Sequence, residues 1–107
     1  MEDRNLVLLV VDALRKDHLS CYGYDRKTTP FLDKFAEKNT KLDNFWSTSS
    51  HTREAVPSML TGYYPEKAVN QSYEISENGL QQEVSQKSAA FHSNPFISRA
   101  YGYQEGF

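Results

Sequence analysis

Residues 5–11, Asn-Leu-Val-Leu-Leu-Val-Val, read as a strand whose residues 6–11 are unbroken apolar side chains, half of them β-branched, and the run stops at a carboxylate, Asp12. A strand with no polar face has to be buried on both sides, as in a parallel sheet covered by helices. In open sheets of that kind, ligands bind beyond the carboxyl ends of the strands. Asp12 therefore stands where such a fold places a metal ligand. The plain alternative is a solvated carboxylate that caps the following turn.

The rest of the chain follows in alternating pieces. Residues 14–19 predict a short turn or helical start, and Gly23 a hinge in the loop after it. Thr29-Pro30 is a helix-start signal. Phe31, Leu32, Phe35 and Ala36 then make one apolar stripe, and Asn39 a stop. Residues 42–46 read as extended. Pro57 is tolerated only in the first turn of a helix, so a helix there is predicted from Val56 to Leu60 or Thr61, closed by Gly62. Ser76 is predicted to cap a helix over 77–86, with Leu80 and Val84 as its inner face. Residues 88–92 read as a second core strand, and Asn94-Pro95 as a turn. Strand, helix, strand, helix, strand is the order of a parallel α/β sheet. Such sheets normally have more than three strands, so the chain is expected to be the front part of a longer domain.

A chain of 107 residues is one domain at most. Its 12 basic and 14 acidic side chains make no basic footprint for nucleic acid. A weakly acidic protein acting on an anion needs a bound cation or a few aimed donors. A single cysteine, Cys21, excludes a disulfide framework and a cysteine-based zinc site, and it reads as a small buried side chain. The apolar run is far shorter than a membrane span and leaves no room for a signal peptide, so a cytoplasmic location is expected. No glycine-rich nucleotide-binding segment is present.

Several side chains could carry chemistry. Thr52 could be a nucleophile activated by a metal or base, with a helix start behind it favouring an anion; alternatively its hydroxyl caps the helix. Arg15 and Arg53 could clamp anionic oxygens as bidentate donors, or sit in surface ion pairs. His51 is the most interesting histidine because it adjoins Thr52; His18 and His92 are solvated on the plain reading. Asp17 could assist Asp12. Asn94 could line a cleft, although a turn role suits it better.

Taken in order, these segments resemble a known family. The stretch from Leu9 through Asp12, Arg15 and Asp17 to Gly23 resembles the opening of the sulfatase family, within the alkaline phosphatase superfamily. Thr28-Thr-Pro30 with Phe35-Ala36 resembles its next helix. Thr52, nine residues before Thr61-Gly62, is similar to the family's spacing from nucleophile to the Thr-Gly-x-Tyr-Pro segment. Residues 89–96 and 101–107 resemble the strand and loop that follow.

The resemblance implies an α/β fold, a three-layer α/β/α sandwich with a mostly parallel sheet, of which residues 1–107 are a truncated N-terminal portion. It implies that Asp12 is the first metal-binding carboxylate and that Thr52 is the nucleophile and also a metal ligand. The reading that follows is metal-dependent hydrolysis or transfer, with a divalent cation (calcium, magnesium, manganese or zinc) as the expected cofactor and Arg15 as an expected stabiliser of the transferring group's charge. The substrate is a small-molecule, glycan or lipid sulfate or phosphate ester. Four features depart from the pattern. Asp12 is followed by Ala13 rather than a second aspartate, which is more similar to phosphoglycerol-transferase and phosphodiesterase-like branches. Thr52 cannot become formylglycine, because its β-carbon carries a methyl, so direct attack by its alkoxide is implied. Val56 stands where the family's arginine is expected, four residues after the nucleophile. The later metal ligands have no counterpart before Phe107. The other reading is a non-catalytic or degenerate scaffold without a complete metal site.

Overall fold

A computed structural model describes residues 4–107. The chain divides into two compact units, one ending at Phe45 and the other comprising Trp46–Phe107.

The first unit opens on the apolar run, and here the expectation of a strand is corrected. Among the described residues there is no strand, and Leu6 to Val11 lie exposed. The physical reason is non-local: a strand exists only by pairing its N–H and C=O groups with neighbours, and parallel neighbours come from distant sequence. The sandwich is therefore a family expectation that these elements do not themselves build. After Asp12 the backbone turns sharply, with Ala13 at φ 57°, a region that side chains with a Cβ rarely adopt. Two short 3-10 turns follow, Lys16–His18 and Ser20–Tyr22, with Leu19 buried between them. Gly23, at φ 98°, ends the second and donates its N–H to the Ser20 carbonyl at 3.0 Å.

Helix α1 spans Pro30–Lys38, as Thr29-Pro30 and Asn39 predict. Thr29 caps through its backbone, its carbonyl accepting from the Asp33 N–H at 2.9 Å. Its hydroxyl faces Ser20 instead. The Asn39 amide donates back to the Phe35 carbonyl at 2.9 Å and closes the last turn. The apolar stripe lies largely exposed: Phe31 and Phe35 stack on each other, 6.3 Å between centroids, and both face solvent.

In the second unit α2 spans Thr52–Thr61 and so begins four residues earlier than predicted. Pro57 lies inside it. Proline there removes the bond to the Arg53 carbonyl, and its ring is fully buried. Gly62 closes α2 at φ 74° and donates to the Ser58 carbonyl. Helix α3, Pro65–Ala68, packs against α2 with Ala68 wholly buried. A hairpin-like turn pairs Val69 with Ile75.

The helix expected over 77–86 shrinks to α4, Leu80–Glu83. Its entry is Gly79, whose N–H donates to the Gln82 side chain at 2.8 Å. Ser76 is not the cap, because its hydroxyl bonds the Lys67 carbonyl at 2.5 Å. The inner face is also corrected: Gln81 is buried while Leu80 is exposed. Residues 42–46 and 88–92 are irregular, and Phe45, Trp46 and Phe91 face solvent. The apolar core of the unit is Val56, Pro57, Ala68 and Tyr103.

Candidate functional site

Asp12 lies at the exposed end of the apolar run, before the Ala13 turn. Three residues on, Arg15 closes a two-pronged ion pair with Asp17: Nε to Oδ1 at 2.9 Å and a terminal nitrogen to Oδ2 at 2.5 Å. His18 Nδ1 is 3.1 Å from the same Oδ1. The hydrogen bond from Arg15, and then that from His18, hold the Asp17 carboxyl well below the usual carboxylate range; Asp17 in turn raises Arg15. The Arg15 fork is thus occupied inside its own turn. Lys16 and Lys41 both lie 4.8 Å from the centre of the Tyr22 ring. Lys16 donates to the Asp43 carbonyl, and Lys41 pairs with the Asp43 carboxylate at 3.1 Å. Arg15, Lys16, Asp17 and Tyr22 line an open depression. Cys21, expected to be buried, is half-buried beside them in sequence.

In the second unit Thr52 is the first residue of α2 and half-buried. The first intrahelical bonds are donated by Glu54 and Ala55 to the His51 carbonyl, at 3.2 and 2.9 Å. The nine-residue spacing to Thr61 has a physical meaning: it is α2 itself, from first residue to last. Thr61 Oγ1 donates to the Pro57 carbonyl at 2.8 Å and accepts from the Tyr63 N–H at 3.3 Å, and Gly62 supplies the left-handed reversal. The polar loop before α2 is tied to it: Ser49 donates to the Glu54 carboxylate at 2.5 Å, and His51 Nδ1 lies 3.1 Å from the Ser50 hydroxyl and 3.8 Å from Glu54.

Arg53 is held differently from Arg15. Its guanidinium lies 3.9 Å from the centre of the Tyr73 ring and 5.9 Å from that of Phe96. Neither aromatic stands out in the sequence, since both lie in polar, irregular stretches. Asn94 has the turn role: its carbonyl accepts from Ile97 N–H at 3.1 Å and its side-chain oxygen from Phe96 N–H at 3.0 Å. His92 is exposed.

The structure thus groups Arg15 with Asp17 and His18, His51 with Glu54, and Arg53 with two rings. Asp12 belongs to the first unit and Thr52 to the second. Among the described residues no group of three or more His, Cys, Asp or Glu side chains could hold a metal ion. A carboxylate and a hydroxyl suit an oxygen-seeking cation in type but not in number. No helix among the described residues is long and apolar enough to cross a membrane.

Comparison with known proteins finds relatives among the sulfatases. N-acetylgalactosamine-6-O-sulfatase of Bacteroides thetaiotaomicron is 32% identical over 66 residues, 62% of this chain and 13% of that protein. Human arylsulfatase H is 34% identical over 61 residues, 57% of this chain and 11% of that protein. Human arylsulfatase A is 34% identical over 61 residues, 57% of this chain and 12% of that protein. The aligned segments thus span a small part of each relative's length. No solved structure matches the chain. The Sulfatase family description matches residues 4–107, and the chain belongs to the sulfatase family.

Proposed function

We propose that this chain is the N-terminal part of a sulfatase catalytic domain, and that the complete protein hydrolyses sulfate esters with Thr52 as nucleophile. The position of Thr52 carries the reading: it opens α2 one helix-length before Thr61-Gly62, in a chain matched by the family from end to end of its described residues. Relatives named as sulfatases support the sulfate ester as the substrate class.

The chemistry follows from the hydroxyl. Thr52 Oγ1 attacks sulfur in line with the departing oxygen. The sulfur–oxygen bond of the ester breaks, and the alcohol leaves with the proton given up by Thr52. Water then attacks the sulfur of the threonine sulfate ester, which restores the hydroxyl and releases hydrogen sulfate. Asp12 and Thr52 are the first two oxygen ligands we assign to a divalent cation, which when bound supplies Lewis-acid polarisation of the ester oxygens. The remaining ligands come from outside the described residues on this reading. Arg15 is an additional donor to the transferring group once its pairing with Asp17 opens.

The test is turnover of 4-nitrophenyl sulfate and 4-nitrophenyl phosphate by the full-length protein and its Thr52→Ala variant, each with and without chelator. The expected result is sulfate-ester hydrolysis that falls by at least about a thousandfold in Thr52→Ala. Equal rates in both proteins would remove Thr52 from the mechanism. A rate indifferent to chelation would remove the cation. No turnover of either ester would favour a non-catalytic scaffold.

A further inference from the structure

The geometry points to Arg53 as the side chain that grips the non-bridging oxygens of the substrate's anionic group, with Tyr73 and Phe96 as the residues that position it. This rests on the reading of Thr52 as the reacting residue, which Arg53 directly follows.

Three observations carry the assignment. First, Arg53 is stacked rather than paired. Its guanidinium lies over the Tyr73 ring at 3.9 Å and near Phe96 at 5.9 Å, and no carboxylate among the described residues lies within ion-pair distance of it. A guanidinium seated over a ring instead of on a carboxylate keeps N–H donors for an anion, which a carboxylate-bound arginine such as Arg15 does not.

Second, the cradle is built. Tyr73 sits at φ 61° on the tip of the turn that joins Val69 to Ile75. Asn70 fixes that tip, its carbonyl accepting from Tyr73 N–H at 3.0 Å and its side-chain oxygen from the N–H groups of Ser72 and Glu74 at 2.8 and 3.0 Å. Phe96 is fixed by Asn94 and packs on Tyr101, 5.8 Å between centroids, and the Tyr101 carbonyl accepts from Ile75 N–H at 3.1 Å. Both aromatic supports are therefore joined through one backbone bond.

Third, Arg53 stands three residues before Val56 on α2, so the two are neighbours along one face of the helix. Val56 is buried and carries no charge. Arg53 is thus the one cation that α2 carries.

The experiment uses the full-length protein and two readouts: binding of inorganic sulfate by calorimetry, and steady-state hydrolysis of 4-nitrophenyl sulfate. Arg53→Gln is expected to weaken sulfate binding and to lower kcat/KM, each by about tenfold or more. Tyr73→Leu is expected to follow it, and Tyr73→Phe, which keeps the ring, to recover most of that loss. A structural role alone would lower the melting temperature and leave sulfate affinity intact in the folded fraction. Unchanged sulfate affinity in folded Arg53→Gln overturns the assignment, as does absence of sulfate binding by the unaltered protein. Arg53-dependent sulfate binding without turnover upholds the anion grip and rejects the hydrolase reading instead.

Discussion

The Ser20 hydroxyl lies 2.8 and 2.7 Å from the two carboxylate oxygens of Asp33 and joins the 3-10 turn Ser20–Tyr22 to helix α1. Thr29 completes the group, its hydroxyl 3.1 Å from that of Ser20 and 3.3 Å from Asp33. The first unit buries little apolar surface, so this polar cluster holds much of it together. Ser20→Ala removes the central donor and leaves a part-buried carboxylate with weaker partners. We expect it to destabilise the first unit by about 1–2 kcal/mol, read as the loss of slow hydrogen exchange in α1.

Gly62 separates conformational cost from crowding. Its φ of 74° is left-handed, and a Cβ built there meets nothing within 4 Å. Gly62→Ala should therefore cost about 1 kcal/mol from backbone conformation alone. Gly102 is the contrast: at φ 83° its Cβ would lie 3.2 Å from Ile75 Cγ2. Gly102→Ala adds that close contact to the same backbone penalty, so its melting temperature should fall further than that of Gly62→Ala.

Local signals were legible in the sequence and non-local ones were not. Thr29, Pro30 and Asn39 delimit α1 because caps act within a few residues, and Gly62 marks the end of α2 for the same reason. The start of α2 was hidden by Pro57, which was expected to stand in the first turn and instead lies mid-helix at the loss of one bond. The strands expected over 5–11 and 88–92 are absent from the described residues, because a strand needs a pairing partner that a local pattern does not specify. Thr52 was legible as a candidate by its distance from Thr61. The support of Arg53 was not, because Tyr73 and Phe96 lie 20 and 43 positions away and meet it only in the folded unit.

The exposed run over 6–11 has a measurable consequence. It combines β-branched side chains with no charge and no proline, the composition of a self-pairing segment. Val7 and Leu9 are 85% and 80% exposed, so replacing both by lysine removes no packed contact. In the 107-residue chain the double variant should reduce light scattering on concentration while changing stability by less than about 0.5 kcal/mol. A clear fall in melting temperature would mean that the run is packed in solution.

Tyr103 links burial to pH. Its side chain is buried, its hydroxyl has no hydrogen-bond partner among the described residues, and burial pushes its pKa up to about 12 from the usual 10.0. The unfolded chain loses this proton near pH 10 while the folded chain keeps it, so the folded state binds the extra proton between the two values. Stability from this group is therefore fully present below pH 10 and declines as pH rises toward about 12. Tyrosinate absorbance at 295 nm should show one late-titrating group that Tyr103→Phe abolishes. At neutral pH the same substitution deletes an unsatisfied buried hydroxyl while keeping the ring, so we expect stability to rise by up to about 1 kcal/mol. A loss of stability of that size would instead mean that the hydroxyl has a partner in solution.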